Sequence, residues 1–232
     1  MGTEELLTAA GVGFGDEVVV PSYATTGAAA AVRAVGATPV FADIDATSYC
    51  LAPAAVAEAI TDRTAAIVPT DLFGYPADLI ALQALAGGRP MPVIPHVERQ
   101  VPGDTADALR RRRAHASYLD GRLTGVLTPR TAPGVDHRYH SYVVRVPGNG
   151  RPDRDAFARA LRSRGVRCSV PVQTPVHRMP GFMREVWLPE TERAAQECLA
   201  LPVDADMSRR ELHKVVAACN ALGGLLPYGA AA

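Results

Sequence analysis

Short apolar runs alternate with alanine-rich stretches through the first half of the chain, and this alternation is the feature that most constrains the fold. The runs are apolar throughout, which is typical of strands covered on both faces of a parallel sheet. The stretches between them have the composition and the end signals of helices. The predicted strands are Glu17–Val20, Pro39–Ile44, Ala65–Pro69 and Pro92–Ile94, and the predicted helices are Thr26–Val35, Pro53–Ile60 and Ala77–Ala86.

The second half has a different pattern, which predicts a smaller α+β domain. Its predicted strands are Tyr139–Val146 and Val166–Val170, separated by a turn at 147–150. Its predicted helices are Thr105–Leu119, Asp153–Arg164, Pro189–Leu199 and Ser208–Leu222, the last opened by a capping box of Ser208 and Glu211. We therefore predict two domains, residues 1–103 and residues 104–232, with the boundary between Glu98 and Thr105.

The charge balance excludes two classes of partner. Lys+Arg and Asp+Glu both number 24, so the formal net charge is zero. A general surface for nucleic acid or for an anionic membrane needs an excess of basic residues, so neither partner is expected. The basic run Arg110–Arg113 is interpreted as a solvated helix face rather than an anion site. The polar opening residues and the absence of a membrane-length apolar run lead us to expect a cytoplasmic protein.

The cysteines and the acidic residues that follow strands do not have the spacing of metal ligands. Cys50, Cys168, Cys198 and Cys219 form no C-x-x-C pair, and we expect reduced, mostly buried thiols. Asp43, Asp45 and Asp71 follow predicted strands, where α/β folds bind ligands, and Asp71 is the most interesting of them. Isolated aspartates of this kind are more often loop caps, so no metal site is predicted.

Several segments, in this order, resemble one known family. The chain is similar to the DegT/DnrJ/StrS family of nucleotide-sugar aminotransferases, which use pyridoxal phosphate and have the fold called type I. The matching segments are Gly11–Pro21, Gly36–Asp45, Thr64–Asp78, His137–Arg145, Pro175–His177, Leu188–Glu192 and Leu199–Pro202. The resemblance implies an α/β protein with a truncated large domain, which carries a mostly parallel sheet, followed by a small α+β carboxyl-terminal domain.

Two residues resemble remnants of the family's cofactor site. Gly2 and Thr3 look like the end of a motif in which a helix N-terminus and a hydroxyl hold the cofactor phosphate. Tyr23 keeps the first aromatic residue of a stretch that stacks on the cofactor ring, and Thr25 replaces the second. We treat Thr3 and Tyr23 as vestigial cofactor-binding residues.

The chain departs from the family where the chemistry is carried out. His96 stands where the family has the aspartate that pairs with the pyridine nitrogen, and an imidazole does not hold that nitrogen protonated as a carboxylate does. The block that carries the Schiff-base lysine is missing after His96. Lys214, the only lysine, lies on the last predicted helix and is interpreted as a surface residue. Because of these departures from the family, we expect no bound pyridoxal phosphate.

The missing pieces imply a partner. In the family the absent first strand and the absent block lie side by side, so their loss leaves Pro92–Ile94 at a new sheet edge between Pro92 and Pro95. An exposed apolar flank favours a homodimer, or a heterodimer with a full-length aminotransferase. A sugar nucleotide is the small-molecule ligand that the family implies. A decayed gene product is the competing interpretation.

Three functions remain open at this point. The first is a homologue without transaminase activity that acts as a partner or scaffold subunit in a sugar or natural-product pathway. The second is a cofactor-independent isomerase, dehydratase or cyclase, for which His96 and His140 are the candidate catalytic residues because imidazole titrates near neutral pH. The third is an aminotransferase by similarity only. The cluster of His137, Tyr139, His140 and His177 is interpreted as a polar patch that packs the small domain onto the large one, in preference to a ligand-binding or acid–base role.

Overall fold

The computed structural model describes residues 1–97, 105–147 and 154–223. These residues form two compact units, one within Met1–Gln100 and Thr174–Ala195 and the other within Val101–Gln173 and Gln196–Ala232. The predicted boundary after residue 103 lies outside the described residues. The sequence predicted two domains, each formed by one continuous stretch of the chain. In the structure, residues 174–195 pack instead with the first unit.

The first unit contains a parallel sheet, and this confirms the predicted α/β fold class. The strands are β1 (Glu17–Pro21), β2 (Thr38–Ala42) and β3 (Thr64–Ile67), in the order β2-β1-β3. The fourth predicted strand is present only as two isolated parallel bridges, Ile67 with Val93 and Thr70 with His96. The helices of this part are α1 (Thr3–Ala9), α2 (Gly27–Ala34), α3 (Pro53–Ala59) and α4 (Leu79–Ala84). The sequence did not predict α1.

Strand β1 is buried on both faces, which explains its uninterrupted apolar sequence. Side chains alternate between the faces of a strand. Val18 and Val20 join one apolar cluster with Leu7 of α1 and Val32 of α2. Val19 joins a second cluster with partners on the other helices and strands, including Val56, Ile67 and Leu82. The sheet is therefore sandwiched between α1 and α2 on one side and α3 and α4 on the other.

Residues 174–195 attach to this unit through a buried polar network. They contain a short 3-10 helix (Val176–Arg178) and the start of α7 (Pro189–Glu197). The Oγ of Ser22 lies 2.6 Å from Nδ1 of His177. On the other side of the ring, Nε2 of His177 lies 3.0 Å from Oε1 of Glu192. Burial of the His177 ring lowers its pKa, although the Glu192 carboxylate acts in the opposite direction.

The N-terminus of α7 is capped by a residue that is distant in sequence. The carboxylate of Asp43, just after β2, accepts hydrogen bonds from the backbone N–H groups of Glu190 (2.9 Å) and Thr191 (2.8 Å). The first N–H groups of a helix have no partner within the helix, and a carboxylate also interacts favourably with the helix dipole. Asp43 therefore fixes α7 against the carboxyl end of the sheet.

The second unit contains an antiparallel pair packed on three helices. The elements are α5 (Ala106–Asp120), β4 (Tyr142–Arg145), α6 (Arg154–Ser163), β5 (Cys198–Leu201) and α8 (Arg209–Gly223). Val143 pairs with Ala200 at the centre of the ladder. The predicted capping box of α8 is confirmed, since Ser208 N–H donates to Glu211 and Glu211 N–H donates to the Ser208 hydroxyl. Among the described residues, every helix is too short or too polar to span a bilayer.

Several details of the second half of the chain differ from the predictions, including the predicted strand Tyr139–Val146, which is shorter in the structure as β4. The predicted helix 189–199 ends at Glu197, because pairing with β4 turns the next residues into β5. The predicted strand 166–170 contributes only a bridge from Ser169 to Ala200, since Arg162 of α6 binds the Cys168 carbonyl instead. The solvated face predicted for the arginine run is wrong for Arg112, which is 7% exposed and donates to the Arg138 carbonyl.

The capping role of Asp43 predicts a stability difference. Asp43→Ala leaves two backbone N–H groups of α7 without their acceptor and is expected to lower the free energy of unfolding by about 1–2 kcal/mol. Asp43→Asn keeps one acceptor oxygen and is expected to lower it by less. Guanidinium denaturation measures both. Asp62→Ala, at an exposed aspartate of the same unit, is the control, and an equal loss in that variant would contradict the capping role.

The lowered pKa of His177 predicts a pH dependence of stability. The folded protein keeps His177 neutral at a pH at which the unfolded chain, with a pKa of about 6.5, already binds a proton. The free energy of unfolding should therefore fall as the pH decreases below about 6.5. His177→Gln should be less stable at pH 7 and should show a flatter slope between about pH 6.5 and pH 5. Exposed His213→Gln is the control, and parallel slopes for wild type and His177→Gln would overturn the assignment.

Candidate functional site

The carboxyl ends of the parallel strands of the first unit carry the residues that the sequence singled out. Tyr23 follows β1, Asp43 follows β2, Asp71 follows β3, and His96 ends the bridged segment beside β3. This edge is where parallel α/β sheets bind ligands. The site is therefore built by the sheet topology from positions far apart in sequence.

His96 is held at this edge by its backbone and by its ring. Its N–H donates to the Pro69 carbonyl at 2.8 Å. Its Nδ1 lies 2.8 Å from Oγ1 of Thr3, at the start of α1. Its Nε2 lies 2.6 Å from the position that a Cβ on Gly27 would occupy, so only glycine at the start of α2 leaves room for the ring. Thr3, predicted as a vestigial cofactor-binding residue, and His96, predicted to stand in place of a carboxylate, are thus hydrogen-bonded to each other.

Tyr23 is part of an aromatic cluster. The side chain is fully buried, and its hydroxyl donates to the Ala194 carbonyl at 3.4 Å. Its ring lies 6.0 Å from that of Tyr49 and 6.2 Å from that of Phe73. Tyr49 and Phe73 have φ angles of 60° and 59°, a left-handed conformation that is unusual for bulky residues. These three rings pack on one another at the carboxyl edge of the sheet.

Lys214 belongs to the second unit. It lies on the exposed side of α8, and its Nζ lies 2.6 Å from the position that a Cβ on Gly165 would occupy. Gly165 follows α6 and has a φ of 70°, typical of a glycine that ends a helix. The ammonium group therefore lies beside the glycine that follows α6.

Pyridoxal phosphate needs an amine, a carboxylate at the ring nitrogen and a cradle for the phosphate. In this chain the Thr3 hydroxyl bonds to His96, an imidazole stands at the position the resemblance assigns to the carboxylate, and the lysine amine lies beside α6. The residues present do not fit this cofactor. The imidazole of His96 and the hydroxyl of Thr3 can each donate or accept a proton.

The histidines of the second unit have different surroundings. The His137 ring stacks on the Tyr139 ring with 3.9 Å between centroids, and its Nδ1 accepts the Tyr139 N–H. His140 lines a cavity of about 280 Å³ together with Arg167, Cys168 and Asp204. His96 and His140, the two candidate catalytic residues, thus belong to different compact units.

Metal binding and thiol chemistry find no support in the described part of the chain. No group of three histidine, cysteine, aspartate or glutamate residues there could hold a metal ion. Asp45 accepts bonds from its own turn, and Asp71 accepts the Ala77 N–H, as expected for loop caps. Burial raises the pKa of the Cys50 and Cys219 thiols to about 12, which leaves both as unreactive thiols.

The sequence did not predict two features. One is the network of Ser22, His177 and Glu192, whose members are far apart along the chain, and no local signal indicates it. The other is a cavity of about 400 Å³ in the first unit, which Trp187 lines. A tryptophan among charged residues just before a helix was the available signal for that cavity.

Known proteins match both units. The profile described as the DegT/DnrJ/EryC1/StrS aminotransferase family matches residues 2–96 and 104–220. The erythromycin biosynthesis sensory transduction protein EryC1 of Saccharopolyspora erythraea is 28% identical over 302 aligned positions, with 93% of this chain and 81% of that protein covered. That alignment is longer than this chain of 232 residues, so the relative has residues for which this chain has no counterpart.

Two further matches agree in family and in fold. The L-glutamine:scyllo-inosose aminotransferase of Streptomyces griseus is 35% identical, with 84% of this chain and 42% of that protein covered. The crystal structure of S. venezuelae DesV in complex with a ketimine intermediate superposes with a TM-score of 0.84 at 25% identity, covering 95% of this chain and 82% of that one. Because the family profile spans nearly all of the described residues, the chain belongs to the DegT/DnrJ/EryC1/StrS aminotransferase family.

Proposed function

We propose that this chain is a member of the sugar and natural-product aminotransferase family that does not itself transaminate, and that it acts as a partner or scaffold subunit. The observation that carries the proposal is the position of its only lysine, whose amine lies beside Gly165 at the end of α6. A Schiff base with pyridoxal phosphate needs a lysine amine that can reach the cofactor as a nucleophile. Lys214 is exposed on α8, in a different compact unit from His96.

The first unit supports the same proposal. The imidazole of His96 pairs with the Thr3 hydroxyl and packs against Gly27. A ligand phosphate or pyridine ring at this position would have to break that hydrogen bond and displace the ring. Tyr23, the aromatic residue that the resemblance links to ring stacking, is fully buried against Tyr49 and Phe73.

The proposed partner role is supported by what the chain retains. The parallel sheet, both covering helix layers and the second unit are present, so the chain has a packed core on each face of β1. The partner that this scaffold fits is a second copy of the chain or a full-length aminotransferase of the same family. Its pathway is that of an amino sugar or of a related natural product, as the names of the relatives suggest.

The absence of a cofactor is tested by trapping. After incubation with pyridoxal phosphate and reduction with borohydride, the folded chain should carry no adduct on Lys214 beyond the level of free lysine, as measured by peptide mass spectrometry. Lys214→Arg, which has no lysine at all, is the matched control, and the two proteins should show the same background turnover with L-glutamine as amino donor. A stoichiometric adduct on Lys214, with turnover that Lys214→Arg abolishes, would refute the proposal.

The partner role is tested by native mass. The chain alone has a mass of 24.5 kDa, and native mass spectrometry should show twice that mass, or a stable complex when a full-length aminotransferase from the same organism is co-expressed. The physical reason is that an interface must cover the flank at which the family has further strands. A monomer at micromolar concentration that also fails to bind the full-length enzyme would count against a partner role.

A further inference from the structure

The sheet of the first unit ends, on the side away from β2, at residues 92–97. Within the described part of the chain these residues pair with the β3 side only. The Ile94 N–H donates to the Ile67 carbonyl and the His96 N–H donates to the Pro69 carbonyl, both at 2.8 Å. The side of this segment that faces away from β3 is here called the outer edge.

The hydrogen bonds fix the direction of each backbone group along the segment. In a parallel ladder, the N–H and C=O of one residue point to the same side, and those of the next residue point to the opposite side. Backbone groups of Pro92, Ile94 and His96 point to β3. Those of Val93 and Pro95 therefore point to the outer edge, where the described residues supply no backbone partner for the Val93 N–H.

The two prolines of the segment differ in their effect on the outer edge. The carbonyl of Pro92 accepts the Ile67 N–H at 3.0 Å, so the N–H that Pro92 lacks belongs to the side of β3. Pro95 is exposed, and the N–H that it lacks belongs to the outer edge, where an added strand would need a donor. Its ring also occupies the space that an incoming carbonyl would take. Only Pro95 therefore interrupts a ladder on the outer edge.

The surrounding sequence would otherwise favour strand addition. Residues 91–97 contain no aspartate, glutamate, lysine or arginine. Ile94 is buried in the apolar cluster on one face of the sheet, and Val93 packs against the cluster on the other face. An uncharged, apolar edge that is held in place on both faces is a template for pairing with another chain. Such an edge needs a feature that prevents this pairing.

We propose that Pro95 closes the outer edge to strand addition, so that a second copy of this chain cannot join the sheet edge to edge. Two copies related by a twofold axis would each bring the same proline to the junction, so the missing hydrogen bond would occur twice. One such loss weakens association by about tenfold, and two weaken it by about a hundredfold. The proposal depends neither on transamination nor on the partner role, because a partner can cover this flank with side chains without adding a strand.

The matched variants are Pro95→Ala and Pro92→Ala. Pro95→Ala provides a donor on the outer edge and should form species larger than those of wild type at a concentration about a hundredfold lower, as measured by sedimentation velocity. Its thioflavin T emission should rise with the association, since the contact extends a β-sheet. Pro92→Ala provides a donor on the side of β3 and should sediment like wild type.

A second substitution locates the contact. Val97 is the next residue with an outward-pointing backbone, and its side chain is 68% exposed. Lysine on an edge strand opposes strand addition. Val97→Lys should therefore return Pro95→Ala to the sedimentation of wild type. Ile80→Lys adds the same charge at an 87% exposed position of α4, and in the Pro95→Ala background it should leave the association unchanged.

Amide hydrogen exchange, followed by NMR in the wild-type chain, tests the geometry without any substitution. The N–H groups of Ile94 and His96 are bonded to the neighbouring segment and should exchange slowly. The Val93 N–H points to the outer edge and should exchange faster than either. This measurement decides the proposal if Pro95→Ala does not fold, as judged by circular dichroism.

Four results would overturn the proposal. The first is a folded Pro95→Ala that associates no more than wild type, and the second is equal association of Pro92→Ala. The third is association of Pro95→Ala that persists with Val97→Lys, which would place the contact elsewhere. The fourth is a Val93 N–H protected as strongly as that of Ile94, which would mean that the outer edge is already paired.

Discussion

The burial of β1 on both faces is the constraint on which the rest of the first unit depends. Val18 and Val20 pack to one side and Val19 packs to the other, so the strand can exist only between two helix layers. Two-sided burial also means that both edges of β1 must pair, which they do with β2 and β3. Because all these strands run in parallel, their carboxyl ends meet at one edge, and that edge collects Asp43, Thr70 and His96.

Features that depend on neighbouring residues could be predicted from the sequence. The continuous apolar run of β1, the proline at the start of α3 and the capping box of α8 are local signals, and the elements begin within a residue or two of their predicted positions. Features that depend on distant residues could not. The pairing that makes β5 from the end of a predicted helix needs β4, and the return of residues 174–195 to the first unit needs Ser22 and Asp43.

In the candidate site, too, the features that depend on distant residues could not be predicted from the sequence. Comparison of the sequence with family motifs identified Thr3 and His96 separately. It matched Thr3 to a phosphate-binding motif and His96 to the position at which the family has an aspartate. The structure shows that the two side chains bond to each other and that Gly27 leaves the space for the ring. This hydrogen bond satisfies the Thr3 hydroxyl and one ring nitrogen of His96 at once, and both side chains are half-buried. No pattern of spacing in the sequence contains that information.

The polar network under residues 174–195 connects folding to the cavity that Trp187 lines. Glu192 and His177 secure this segment to the sheet through Ser22, and the same two side chains form a wall of the Trp187 cavity. A buried histidine held between a hydroxyl and a carboxylate is stable only when both partners are present, so loss of the network would both destabilise the segment and distort the cavity. The His96 cluster shares no side chain with this network. The hydrogen bond between His96 and Thr3 and the network of Ser22, His177 and Glu192 therefore use separate sets of side chains within one compact unit.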